Sequence, residues 1–395
     1  MALTRTYFVS YIYSSVVSMK TKDKNKVDEK LIRSIGQLTS AIIVLIFFLV
    51  GTVFYFLNQD SIEIWLASVN PTPRKIERPV QQREAKTERL VAEKVQHLFK
   101  AITASSDSSN PALIQLGKML YLDKNLSKKG NTSCNSCHNL NFFGADQVPR
   151  STKDNGQIGT RNTPSILYTS TRESYFWDGR AANLAQAIEI HLFSQGELGI
   201  PSQRYLIHKI KNQPEYQLQF KSAFPEQNQA LTFENMKLAL VTFLEKLTPQ
   251  SRFDQWLLGN EEALTARELE GLSVFIEVGC SSCHNGIELG GNQFQKFGVY
   301  GDYWEYTKSE KVDRGLLEVS QLASDKYVFR VPSLRNAWET APYFHDGTVE
   351  NLDEAIRIMG KLQLNKILED DQVQAIEIFL GSLTAAPDSI LKSIQ

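Results

Sequence analysis

Sulfur and imidazole are scarce in this chain. Its 395 residues include four cysteines, five methionines and six histidines, so any metal or redox chemistry rests on very few side chains. An excess of one charge is missing too: 43 lysines and arginines face 44 aspartates and glutamates, which gives no sign of nucleic-acid binding. Charge of either sign disappears altogether from Ser34 to Gln59, where Ala41–Leu57 reads AIIVLIFFLVGTVFYFL. Such a stretch is long and apolar enough to predict one transmembrane helix over 34–59.

The flanking charges orient that helix. Lys20, Lys22, Lys24, Lys26, Lys30 and Arg33 precede it, whereas Asp60 and Glu63 follow and no cation returns before Arg74. By the positive-inside rule, residues 1–33 are cytoplasmic and the rest of the chain faces outward. In a Gram-negative cell this predicts a single-pass inner-membrane protein with its main body in the periplasm. No small-x-small cleavage site follows the apolar run, so a removed signal peptide is the weaker reading.

Residues 60–109 read as a charged, proline-containing linker that passes into an amphipathic helix carrying Leu90, Val91, Val95, Leu98 and Phe99. Asn110 followed by Pro111 marks the start of another helix, with Leu113, Leu116 and Leu120 along it. Thr265 and Glu268 form a capping box ahead of Leu269, Leu272, Phe275 and Ile276. Each of these last two helices leads to a cysteine pair. The pattern is mainly α and repeated, with one domain over 110–255 and a second over 256–395.

The pairs are Cys134-Asn-Ser-Cys137-His138 and Cys280-Ser-Ser-Cys283-His284, and no cysteine is left over. Two thiols on one helical turn suit addition to the two vinyl groups of a single porphyrin, with the next imidazole beneath the iron. A four-cysteine zinc site or disulfides are the alternative uses of the same thiols. A histidine directly after both pairs, on the outward side of a membrane anchor, favours two covalently bound haems c. Their function then turns on the second axial position of each iron, for which the chain offers His97, His191, His208, His345 and its methionines.

Several runs of residues carry a resemblance. QLGKMLYLDKNLSKKGNTSCNSCHNL (115–140), NTPSILY (162–168), FWDGRAANL (176–184), SRFDQWLLG (251–259), VPSLRNAWETAPYFHDG (331–347) and IMG (358–360) occur in order over roughly 110–385. The chain resembles the bacterial di-haem cytochrome c peroxidases and their MauG-type relatives. The resemblance implies two cytochrome-c-like, mainly helical domains with one haem each, and reduction of hydrogen peroxide by electrons from a small cytochrome c or copper protein. It also implies a homodimer as the common assembly.

The resemblance assigns roles residue by residue. Met359 takes the place of the thioether ligand on the second, electron-transfer haem, opposite His284, where MauG itself has a tyrosine. Glu197 matches the acid–base carboxylate of the distal pocket, Gln186 a distal glutamine one position out of register, and Trp177 the tryptophan between the haems. Asn162, with the carbonyls of Thr340 and Pro342, matches a calcium site, and His345 is expected to pack near the second haem. Many family members carry a histidine about 16 residues after the first proximal one, which caps the peroxidatic iron until the other haem is reduced. Here that position is Asp154, so the first haem is expected to be open without reductive activation. His191 stands where relatives have a proline; it could hydrogen-bond peroxide, ligate the iron, or cap its helix. Two other functions remain compatible with the residues: a MauG-like oxidase acting on a partner protein, and a non-catalytic di-haem carrier or sensor.

Overall fold

The computed structural model describes residues 95–103 and 110–385, together with Ile42, Leu45, Ile46 and Leu49. The expected span over 34–59 lies outside the described residues except for those four, which are helical, and the segments 1–33 and 60–94 lie outside them entirely. Among the described residues no helix is long and apolar enough to cross a membrane.

Glu84–Gln395 forms one compact unit. Its chain runs α1 (Pro111–Leu122), α2 (Cys134–Cys137), α3 (Leu184–Phe193), α4 (Gln203–Ile210), α5 (Pro214–Ala223), α6 (Phe233–Glu245), α7 (Arg252–Leu257) and α8 (Ala266–Val278). Then follow β1 (Phe294–Lys296), α9 (Tyr303–Thr307), α10 (Leu317–Ser320), β2 (Val328–Arg330), α11 (Leu352–Leu364) and α12 (Asp370–Ser382). The two strands form one antiparallel ribbon with Gln295 opposite Phe329, and among the described residues the rest is helix, turn or loop.

The helix starts are those that the caps predict. Asn110 accepts a hydrogen bond from Ala112 N and Pro111 occupies the first turn of α1, where its missing N–H costs nothing. Thr265 accepts from Glu268 N while the Glu268 carboxylate accepts from Thr265 N, closing both ends of the box.

Each half is organised around one helix pair. In the first half α1 packs along α6, and in the second α8 packs along α12. At each crossing a glycine meets a carbonyl: a Cβ on Gly117 would overlap Ala239 O, and one on Gly271 would overlap Ala375 O. Around the first pair lies a core with Leu116, Leu120, Phe220, Met236 and Phe243. Around the second lies one with Phe253, Leu272, Phe275, Ile376 and Phe379. A smaller aromatic cluster, including Trp177, Phe297, Tyr303 and Phe329, sits beside them.

Val95 and Phe99, which the sequence puts on the amphipathic helix of 60–109, are buried in the second core. A division after residue 255 would cut α7, whose Phe253 stacks edge-on against Phe379 at 5.4 Å. The second half thus begins no later than α7, because that helix has its apolar face in the later core.

One ion pair joins distant segments. Arg335 binds Asp254 through two contacts of 2.7 Å, with both side chains fully buried. Asp254 also accepts from Ile102 N at 2.8 Å and Ser251 N at 2.8 Å, and Arg335 Nε donates to Ile287 O at 2.7 Å. Removing one partner strands a buried charge, so Asp254→Asn is expected to cost about 3–5 kcal/mol. The check is a denaturant unfolding curve beside the wild type; a midpoint that does not move would mean the charge finds another partner.

Candidate haem sites and distal pocket

Both cysteine pairs fold into the same short turn. His138 N donates to Cys134 O and His284 N donates to Cys280 O, each at 2.9 Å. The four cysteines form no disulfide with one another and line two different clefts, which separates the pairs and removes the four-cysteine zinc reading. Burial pushes the thiols of Cys134 and Cys280 up to about 12, so both are neutral.

The imidazoles are held by one nitrogen each. His138 Nδ1 lies 3.0 Å from Pro164 O and 3.3 Å from Gly144 O, and His284 Nδ1 lies 3.0 Å from Leu289 O. A carbonyl only accepts, so Nδ1 carries the proton and Nε2 keeps its lone pair for a metal. Burial, with the nearby His191 adding to it at His138, lowers both imidazoles to about 4, so they are neutral at physiological pH. The Tyr121 hydroxyl at the end of α1 donates to His138 O, fixing the turn from the helix that delivers it.

The first cleft has a volume of about 980 Å³ and contains Cys134, Cys137, His138, His191 and Glu197. The second is narrow, about 90 Å³, and brings Cys280, Cys283, His284 and Met359 together between apolar walls. Thiol pairs, a neutral imidazole with a free Nε2, and, in the second cleft, a thioether on the same walls fit covalently bound haem in each. Trp177, Arg330 and His345 line both clefts. Trp177 is held there by its indole N–H, which donates to Asn162 O at 2.9 Å.

Opposite His138 the structure brings together residues that the sequence offered separately. Glu197 follows α3 in a turn closed by Glu197 N to Ser194 O and Leu198 N to His191 O, which folds it back onto the last turn of that helix. Its Oε2 meets His191 Nδ1, and Arg180 Nη2 stands 3.8 Å from its Oε1. Burial raises the Glu197 carboxyl, but the charge and hydrogen bond of His191 and the charge of Arg180 hold it below its ordinary value. The His191 and His138 ring centroids lie 5.9 Å apart in an edge-to-face arrangement, with planes 83° apart. Arg180, which lies 3.6 Å over the Phe176 ring, was not among the candidates; only its place in FWDGR pointed to it.

Other expected residues fall elsewhere. Gln186 is exposed and outside the cleft: its Oε1 accepts from Ala182 N at 2.8 Å, a cap on the start of α3. Asn162 donates from Nδ2 to Val148 O at 3.1 Å, and from its backbone to His345 O at 2.7 Å. His345 is buried among Tyr303, Phe297 and Phe329.

Asp154, where the resemblance led us to look for a histidine, lines the first cleft, but its carboxylate is taken up by the turn at 127–132. It accepts from Ser127 Oγ at 2.8 Å, Lys129 N at 2.7 Å and Asn131 N at 3.1 Å, while Asp154 N donates to Glu197 O at 3.2 Å. The loop is thereby tied both to the turn before Cys134 and to the segment bearing Glu197.

Mainly helical, with two histidine-bearing clefts and a shared tryptophan, this is the architecture of a di-haem c-type protein. The family pattern described as "Di-haem cytochrome c peroxidase" matches residues 111–262. Cytochrome c551 peroxidase of Nitrosomonas europaea is 38% identical over 292 residues, 72% of this chain and 83% of the relative. Cytochrome c551 peroxidase of Pseudomonas aeruginosa is 40% identical over 272 residues, 68% and 78%. A crystal structure of a MauG-like protein associated with microbial copper homeostasis superposes with a TM-score of 0.65 at 27% identity, covering 72% of this chain and 94% of that one. The chain belongs to the di-haem cytochrome c peroxidase family, whose members carry two haems c.

Asp154 makes the loop testable. Burial raises its carboxyl, but the hydrogen bonds from Lys129, Ser127, Asn131 and Thr132 outweigh that and lower it. A depressed folded value means stability that is present above the ordinary aspartate pKa of about 3.9 and lost as pH falls through the folded value. Asp154→Ala is expected to cost about 1–3 kcal/mol at pH 7 and to open residues 150–160 to protease. An uncut loop in the variant would show that other contacts suffice.

Proposed function

We propose that the protein reduces hydrogen peroxide to water with electrons from a small cytochrome c or copper protein. The observation that carries this reading is the group His191, Glu197 and Arg180 in one cleft with His138. When bound, a haem held by Cys134, Cys137 and His138 supplies an iron able to take up an oxygen species, and one held by Cys280, Cys283, His284 and Met359 a store for one electron.

The protein's own groups do the rest. Glu197, ionised at neutral pH, takes a proton from peroxide and returns it to the departing oxygen. His191 and Arg180 hold that carboxylate in place and in charge. Trp177, in contact with both clefts, offers an aromatic path between them. The balance is one peroxide, two electrons and two protons to two waters. Met359 in the cleft of His284 favours a peroxidase over a protein-modifying oxidase.

Because the Asp154 carboxylate is spent on its own turn, it would not cap a haem held by His138, and we read such a haem as ready to take up peroxide in the oxidised enzyme. A second reading is favoured by one distance: the His138 and His191 ring centroids lie 5.9 Å apart in one cleft, so His191 would also be able to hold a haem carried by His138. His191 would then close the site. The uncharged stretch 34–59 behind a cluster of lysines supports an inner-membrane tether with the enzyme in the periplasm, which concentrates it near respiratory donors. Asn162, whose amide nitrogen is spent on carbonyls and whose side-chain oxygen is left over, supports one calcium ion shared with the carbonyls of Thr340 and Pro342.

Electron paramagnetic resonance of the oxidised holoenzyme, followed by mixing with peroxide without reductant, separates the two states. A high-spin signal lost on mixing is expected; two low-spin haems inert to peroxide would assign His191 as a ligand. In steady-state assays Glu197→Gln should lower kcat/KM on the order of 10²–10⁴-fold. The acid limb of the wild-type pH profile should lie below the usual glutamate range and move up in His191→Ala, since removing His191 removes a group that holds Glu197 ionised. A limb at the same pH in both would disconnect His191 from the proton transfer.

A further inference from the structure

Arg330 is a buried cation that this chemistry leaves unused. It ends β2, is 3% exposed and lines both clefts. Its backbone N donates to Trp177 O at 2.8 Å and its Nε to Phe176 O at 3.1 Å. Its Nη1 is buried without any partner. A guanidinium out of water needs both hydrogen bonds and an opposite charge, and burial has lowered Arg330 to about 10.

The carboxylate whose charge reaches it is Glu288, which is already taken. Glu288 accepts from Arg172 Nε at 3.0 and 3.1 Å and from Thr171 Oγ1 at 2.9 Å. Arg172, Arg330 and Glu288 therefore place two cations on one anion inside the protein. A water molecule would fill a hydrogen bond but would not balance the charge. A second unpartnered nitrogen, His345 Nε2, belongs to the same boundary between the clefts.

The surroundings say which cleft supplies the missing anion. The first cleft has other cations on its walls, among them Arg161, Arg172 and Arg180. Among the described residues, no lysine or arginine other than Arg330 lines the second. A haem brings two carboxylates with it, and in the second cleft only one cation is available to meet them. We propose that Arg330 Nη1 binds a propionate of the second haem, and that its charge raises the midpoint potential of that haem at the point where electrons pass to Trp177. This rests on the di-haem reading above. A fixed positive charge beside a redox centre favours the form that has gained an electron.

The test uses the loaded enzyme and two variants, Arg330→Gln and Arg330→Lys. Haem content is counted first by pyridine haemochrome; fewer than two haems in the wild type would defeat the di-haem reading itself. Potentiometric titration then follows each haem. The expected result is a lower midpoint for the His284-ligated haem in Arg330→Gln, with a larger shift than at the first haem, and recovery of most of it in Arg330→Lys. Unchanged midpoints, or a shift confined to the first haem, would overturn the assignment while leaving the peroxidase reading intact. Should neither variant mature, resonance Raman spectra of the wild type in H2O and D2O decide: a second-haem propionate mode that shifts on exchange supports the contact, and one that does not refutes it.

Discussion

The buried pair between Asp254 and Arg335 is the contact on which the arrangement of the two clefts depends. Neither charge is tolerable alone in the interior, so the pair forms together or the segments around it do not pack. Its further bonds reach Ile102, Ser251 and Ile287, and Ser333 donates to Glu288 O at 2.9 Å just beside it. Glu288 in turn binds Arg172 of the first half. Of the two linked buried ion pairs, Arg172–Glu288 holds the first half against the second, and Asp254–Arg335 fixes the second-half segments from which Glu288 reaches across. Only with that relation fixed can one indole line both clefts.

The clefts differ in the way their tasks require. The first is wide and carries ionisable groups, with carboxylate, imidazole and guanidinium gathered in one cleft with His138. The second is narrow and walled by Phe297, Phe329 and Val331, with the thioether of Met359 and the imidazole of His284 in the same apolar cleft. A site that exchanges protons needs ionisable groups and solvent; one that only holds an electron does better without them, because a dry, rigid surrounding changes little when the charge changes.

Much of this was legible in the chain. The attachment turns, the Asn110 cap and the Thr265 box are local, and local chemistry is what short motifs record. Met359 and Trp177 were legible only through the resemblance, since a lone methionine or tryptophan is usually core. The meetings of distant residues were not legible: SRFDQWLLG and VPSLRNAW each stood out as motifs, yet nothing in either says that Asp254 of one binds Arg335 of the other, 81 residues away. Gln186 failed for a plain reason, as position 186 lies in the first turn of α3 where its side chain caps the helix. Asp154 shows the opposite case: the missing histidine was visible, but the four donors that use the aspartate could be seen only once the turn at 127–132 was folded.

The two glycine crossings carry a consequence for mutational drift. Gly117 and Gly271 sit at backbone-to-carbonyl contacts, in the helices leading to the first and second cysteine pairs. Any side chain at either position pushes the helices apart and moves the attached turn with them. Surfaces, linkers and even core residues of the two halves can therefore change independently over time, while these two positions stay closed to all residues but one. The shared outline of the halves is kept by what is absent at two points, more than by any side chain they have in common.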